Sequence, residues 1–92
     1  MGLQWTESRD SIQERRKKMD LIFHNTKEVG DFVGRVEKYP FHMDLFRGSI
    51  VVDAKSFLGV LNMGLNRIIR LKVYAEDYED MYQDIKQFIV SQ

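Results

Sequence analysis

The chain has 92 residues, 14 basic against 14 acidic for a formal net charge of zero, and 43% hydrophobic residues. One small domain of ordinary globular composition fits these figures, and a disordered chain, a collagen and a long coiled coil do not. A neutral chain lacks the basic surplus that binding a phosphate backbone needs, and with no cysteine a disulfide scaffold, a zinc finger and a thiol nucleophile are excluded.

Residues 1–15 are polar and charged, with scattered apolar residues (Leu3, Trp5, Ile12), and read as a tail ahead of a domain over 16–92. Gly2 and Thr6 match the short N-myristoylation pattern, with Arg15, Arg16, Lys17 and Lys18 as a basic second signal; the plain reading is a solvated tail. No window holds the ~18 apolar residues of a membrane span, and the start has no apolar stretch of signal-peptide length. A cytoplasmic location without membrane association is expected.

From Lys17 to His24 the period is two: Met19, Leu21 and Phe23 alternate with Lys18, Asp20 and Ile22, which predicts a strand. Val29, Phe32, Val33 and Val36 then stand at i, i+3, i+4 and i+7, one face of a helix. Asn25 with Glu28 three residues on has capping-box spacing. Gly30 and Gly34 each cost this helix about 1 kcal/mol against alanine, and close approach of the helix to a sheet is the expected return. Pro40 is expected to end the helix.

Phe41, Met43 and Leu45 alternate with His42, Asp44 and Phe46, a second strand. Arg47-Gly48-Ser49 is a turn and Ile50-Val51-Val52 a short third strand, so the two form a hairpin. Ser56 sits where an N-cap belongs and Gly64 where a helix C-cap belongs, with a short, apolar helix between them. Ile69, Leu71 and Val73 mark a fourth strand. Asp77 to Asp80 places acids at the start of a last helix, whose apolar face is Met81, Ile85, Phe88 and Ile89. The predicted class is α+β: an open-faced sandwich of order β-α-β-β-α-β-α, with a four-stranded antiparallel sheet and three helices on one face.

This order, and the stretch Val52-Asp53-Ala54-Lys55-Ser56-Phe57-Leu58-Gly59-Val60-Leu61-Asn62-Met63-Gly64, resembles HPr, the histidine phosphocarrier family of the bacterial phosphoenolpyruvate-dependent sugar phosphotransferase system. The resemblance covers about residues 17 to 90. The family carries its phosphoryl group on a histidine opening the first helix, in a Gly-x-His-Ala-Arg-Pro context, because an imidazole nitrogen is nucleophilic at neutral pH. Counting back without gaps from Lys55-Ser56 puts Asn25 at that histidine, Lys27 at the arginine and Glu28 at the proline. A carboxamide cannot serve as the nucleophile, a carboxylate repels an incoming phosphoryl group, and lysine meets phosphate only as a point charge. His24, one residue earlier, is the alternative acceptor; its plain reading is an exposed strand-end residue.

Ser56 matches the serine that a dedicated ATP-dependent kinase/phosphorylase modifies in HPr proteins of many Gram-positive bacteria. The phosphoserine form then partners a transcription factor in carbon catabolite repression, and a regulatory relative keeps the serine without the histidine. A phosphate on Ser56 would meet free amides at a helix start, with Lys55 beside it; the plain reading of Ser56 is an N-cap alone. Phe57, Leu58 and Leu61 lie on the helix that in the family docks partner enzymes and the repressor.

Three readings follow. One is a regulatory or protein-binding HPr-like protein, its partners the serine kinase/phosphorylase, transport-system enzymes or a transcriptional regulator. The second is a phosphocarrier using His24, and the third an interaction module that is not phosphorylated. No acid–base carboxylate pair, glycine-rich phosphate loop or nucleophile–base pair points to an enzyme, and no cofactor is implied. His24 and His42 lack the spacing of a metal pair; His42 has Asp44 as its same-face neighbour on a strand. The oligomeric state is left open.

Overall fold

A computed structural model describes residues 18–91. The tail predicted over residues 1–15, with its lipidation pattern, lies outside the described residues. In chain order the elements are β1 (Lys18–Leu21), α1 (Thr26–Val36), β2 (His42–Arg47), β3 (Ile50–Asp53), α2 (Phe57–Asn62), β4 (Ile69–Tyr74), α3 (Glu79–Ile85), a 3-10 turn (Lys86–Phe88) and β5 (Ile89–Ser91).

The sheet has five strands, in the order β3-β2-β4-β1-β5, and every neighbouring pair is antiparallel. The expected four-stranded sheet is therefore corrected to five. Ile85, Phe88 and Ile89 fit a helical period, but α3 stops at Ile85 and the chain passes through the 3-10 turn into β5. There Ile89 pairs with Leu21 and Ser91 with Asp20, and the Ile22 amide donates to the Phe88 carbonyl at 3.1 Å. The outer edge of β1 would otherwise carry unpaired backbone groups, and the β-branched pair Ile89-Val90 suits a strand.

The topology repeats one move. β1 and β2 run parallel with β4 between them, and α1 is their crossover. β3 and β4 run parallel around β2 through α2, and β4 and β5 run parallel around β1 through α3.

Alternation sorts the sheet's two faces. Met19, Leu21, Met43, Leu45, Ile69, Leu71 and Val73 are buried under the helices, while Lys18, His42, Arg70 and Tyr74 are exposed on the other side. Val29, Phe32, Val33 and Val36 of α1, Val60 of α2, and Met81 and Ile85 of α3 complete the core. Phe23, Phe32 and Phe88 meet as an aromatic cluster with ring centroids 5.1–5.8 Å apart, a spacing at which edge-on ring pairs attract.

One local expectation holds and another is corrected. α1 ends at Val36, one turn ahead of Pro40, with the Glu37 amide on the Val33 carbonyl. Pro40 has no N–H for the Val36 carbonyl, and the Tyr39 amide takes that carbonyl instead, at 3.1 Å. Neither α1 glycine approaches the sheet: both are exposed, a Cβ on Gly30 would meet the Phe57 ring at 3.7 Å, and one on Gly34 would meet nothing within 4 Å. The positive φ values of Gly48 (60°) and Gly64 (99°) serve the β2–β3 hairpin and the exit from α2, where an L side chain would be strained.

Candidate functional site

The first turn of α1 is closed by its own side chains. Asn25 is extended (φ −156°, ψ 171°), and its Oδ1 accepts the Glu28 amide at 2.9 Å. Glu28 reaches back, its Oε1 accepting the His24 amide at 2.8 Å. This is the capping box that the Asn25–Glu28 spacing predicts, with the return bond one residue upstream of the cap. The same carboxylate oxygen lies 3.3 Å from His24 Nδ1. An anion approaching Nδ1 therefore meets a carboxylate already in place, and the nitrogen loses access on that side. Lys27 is exposed.

The first turn of α2 is capped in the same way. Ser56 is extended (φ −99°, ψ 111°), exposed, and its Oγ accepts the Gly59 amide at 3.2 Å. The Ser56 amide donates to the Asp53 carbonyl at 3.0 Å, and Asp53 Oδ1 accepts the Lys55 amide at 2.9 Å, so β3 turns tightly into the helix. Lys55 does not aim at Ser56: its Nζ donates to the Tyr39 carbonyl. Gly59 is where this corner is tightest, since a Cβ there would stand 3.2 Å from both Ser56 Oγ and Val52 Cβ.

The Phe57 ring packs over Gly30, so the start of α2 leans on α1 one turn beyond the Asn25 cap. A Cβ at position 30 would meet that ring at ordinary contact distance, 3.7 Å, so alanine fits beneath it. Leu58 is 70% exposed and Phe57 38%, whereas Leu61 is partly buried against the core. Exposed apolar surface beside a capped serine and a capped first helix forms one continuous region of the molecule.

Two further clusters lie elsewhere. On the open sheet face His42 Nε2 contacts Asp44 Oδ1 at 2.8 Å, its ring lies 5.3 Å from that of Tyr74, and Lys72 sits over Tyr74 at 5.1 Å, within cation–π range. Partial burial, aided by the Asp44 carboxylate, holds the Tyr74 phenol above its ordinary value. At the far end of α1, Asp84 of α3 accepts the Tyr39 hydroxyl (2.5 Å) and pairs with Lys38 at 3.2 Å, while Arg35 donates to the Asp84 carbonyl at 3.1 Å. The carboxylate raises the Tyr39 phenol to about 12 through its hydrogen bond; the same bond, with Lys38, holds Asp84 below the usual carboxylate range. Tyr39 and Asp84 are 45 residues apart, and no motif links them in the sequence. Among the described residues no group of His, Asp or Glu is placed to hold a metal, and no helix is long and apolar enough to cross a membrane.

No protein-family model matches the chain, and no curated protein matches it by sequence. Nine chains of solved structures do match. HPr-C-His from Thermoanaerobacter tengcongensis superposes with a TM-score of 0.65 at 19% identity, over 77% of this chain and 88% of its own. The phosphocarrier protein HPr from Bacillus anthracis gives 0.63 at 14%, over 79% and 95%. A mycoplasma histidine-containing phosphocarrier protein gives 0.62 at 17%, over 76% and 88%. The chain has the HPr-like α+β open-faced fold, with a five-stranded sheet.

Proposed function

We propose that this protein is a regulatory or protein-binding relative of the HPr phosphocarriers, working in the bacterial cytoplasm without acting as an enzyme and without passing a phosphoryl group through the start of α1. The carrying observation is the Asn25 side chain. Its Oδ1 is engaged on the Glu28 amide, and a carboxamide has no nucleophilic nitrogen to offer in any case. His24 is a poor substitute because the Glu28 carboxylate lies against its Nδ1. Ser56 is the modification site in this reading, being exposed at the α2 cap. A phosphoryl group on Oγ would place a dianion beside the Gly59 amide that Oγ already accepts, the polarity that a helix start favours. Phe57, Leu58 and Leu61 then form the docking surface next to it, with Lys27 at the start of α1 and Lys55, whose Nζ holds the Tyr39 carbonyl, as the candidate cations. The partners are the serine kinase/phosphorylase together with a transcriptional regulator or transport-system enzyme.

The test is intact mass followed by phosphosite mapping after two incubations, one with phosphoenolpyruvate and the general transport enzyme, the other with ATP and the HPr serine kinase. An acid-stable phosphate on Ser56, lost in Ser56→Ala, supports the regulatory reading. An acid-labile phosphate that disappears in His24→Ala replaces it with a phosphocarrier. No phosphate by either route leaves an interaction module, read out through the Phe57–Leu58 surface.

A further inference from the structure

Among the described residues β3 is an outer edge of the sheet, and its only protections are its shortness and a terminal Asp53. Its sequence is Ile50-Val51-Val52-Asp53, with no lysine, arginine or proline, and Ile50 and Val51 are 46% and 51% exposed. Edges of this kind template pairing with another strand.

The hairpin register determines which backbone groups face outward. Arg47 pairs with Ile50, Phe46 with Val51 and Leu45 with Val52, and the Ala54 amide donates to the Met43 carbonyl at 3.0 Å. Hydrogen-bonded and non-hydrogen-bonded pairs alternate along an antiparallel ladder. Bonding at Met43–Ala54 therefore makes Phe46–Val51 a non-bonded pair, so the N–H and C=O of Val51 both point away from β2. The Asp53 N–H does the same, while its carbonyl already holds the Ser56 amide.

We propose that β3 pairs with β3 of a second copy of this chain, antiparallel about a twofold axis at Val51, so that two sheets become one. Val51 and its counterpart exchange their outward N–H and C=O groups. Ser49 then falls opposite Asp53, where the Asp53 N–H reaches the Ser49 carbonyl, and the axis doubles that bond to give about four main-chain hydrogen bonds in all. Side chains match in the same register: Val51 meets Val51 on the open face, and Ile50 meets Val52 on the other. The hydroxyl of Ser49 lies across from the Asp53 carboxylate. A patch that complements itself about a twofold closes as a dimer. Pairing β3 with β5 of another copy would instead leave an edge free at each end and grow without closing. β5 is also shorter than β3 and shifts register between its pairs with Asp20 and Leu21.

A four-residue edge is far smaller than a standard interface, so the dimer is weak, with Kd roughly 0.1–1 mM. Sedimentation of the full chain should show a mass rising toward two chains, and stopping there, as concentration rises through that range. Val51→Lys places a charge at an exposed position and should lower association at least tenfold without moving the melting midpoint. Because the chain has no cysteine, Val51→Cys offers a second readout. A hydrogen-bonded pair has Cα atoms about 5.5 Å apart, inside disulfide range, so mild oxidation should give a covalent dimer much faster than Val90→Cys, an exposed control on β5 at the opposite edge of the sheet. A wild type that stays monomeric, association unchanged in Val51→Lys, growth past two chains, or equal cross-linking by both cysteine variants would each overturn the proposal; the first would leave the edge to a strand of different sequence.

Discussion

Asp84 joins α3 to the end of α1 through Tyr39, Lys38 and Arg35, and the bond leaves a mark on both titrations. Asp84 is held below its ordinary value of 3.8, so folding favours its charged form. Its contribution to stability is fully present above the ordinary carboxylate range and is lost as pH falls through the depressed value. Tyr39 is raised from 10.0 to about 12, so folding favours the neutral phenol, and that contribution is present below pH 10 and lost as pH climbs toward 12. The stability gap between wild type and Tyr39→Phe, from urea midpoints, should be constant from pH 6 to 9 and should shrink above pH 10. The gap to Asp84→Asn should shrink at the acid end. A gap that is flat across both limits would mean that the hydroxyl–carboxylate bond contributes nothing.

The two central glycine tests belong to the helices. Gly34 is exposed on α1 with open space around it, so Gly34→Ala should stabilise by about 0.5–1 kcal/mol through helix propensity. Gly59 is helical too, but its Cβ would press on Val52 Cβ and Ser56 Oγ. Overpacking costs about 1–3 kcal/mol against a propensity gain of about 1 kcal/mol, so Gly59→Ala should be net destabilising. Chemical denaturation separates the two signs. β5 offers a different test. Stopping the chain after Phe88 removes the partner of Leu21 and Asp20 but leaves the β1–β4 ladder. Hydrogen exchange at the β1 amides facing β5 should then accelerate while those facing β4 keep their protection. Equal acceleration of both sets would mean that β5 supports the whole of β1. The sequence reading missed this strand because Met81, Ile85, Phe88 and Ile89 satisfy a helical period; the ladder that draws Ile89 out of it comes from residues some 68 positions away.

For the whole molecule, burial decides what each apolar side chain contributes. Leu71 lies in β4, between β1 and β2, and is fully buried; Leu58 is 70% exposed. Leu71→Ala should cost about 2–5 kcal/mol, and Leu58→Ala should stay within about 0.5 kcal/mol. Under the proposed function Leu58→Ala should nonetheless weaken partner binding, which calorimetry against the serine kinase would read. Both leucines look alike in a hydropathy plot. Their separation depends on the three crossovers, which place β4 between β1 and β2 and cover only one face of the sheet.

The order of the elements through α3, the apolar stripes of α1, β1, β2 and β4, and the caps at Asn25, Ser56 and Gly64 were determined by sequence alone. Each rests on contacts within about four residues or on a repeating period, and such interactions need no knowledge of the remote chain. The proposal that Asn25 stands in for a nucleophile rests likewise on residue type at a position counted along the sequence. Tertiary structure decided the fifth strand, the Phe57 ring over Gly30, the engagement of Lys55 with the Tyr39 carbonyl, the Tyr39–Asp84 bond and the exposure of Leu58. All of these are long-range contacts or the lack of them. A side chain's period shows which face it occupies, but only the packed fold shows whether another element covers that face.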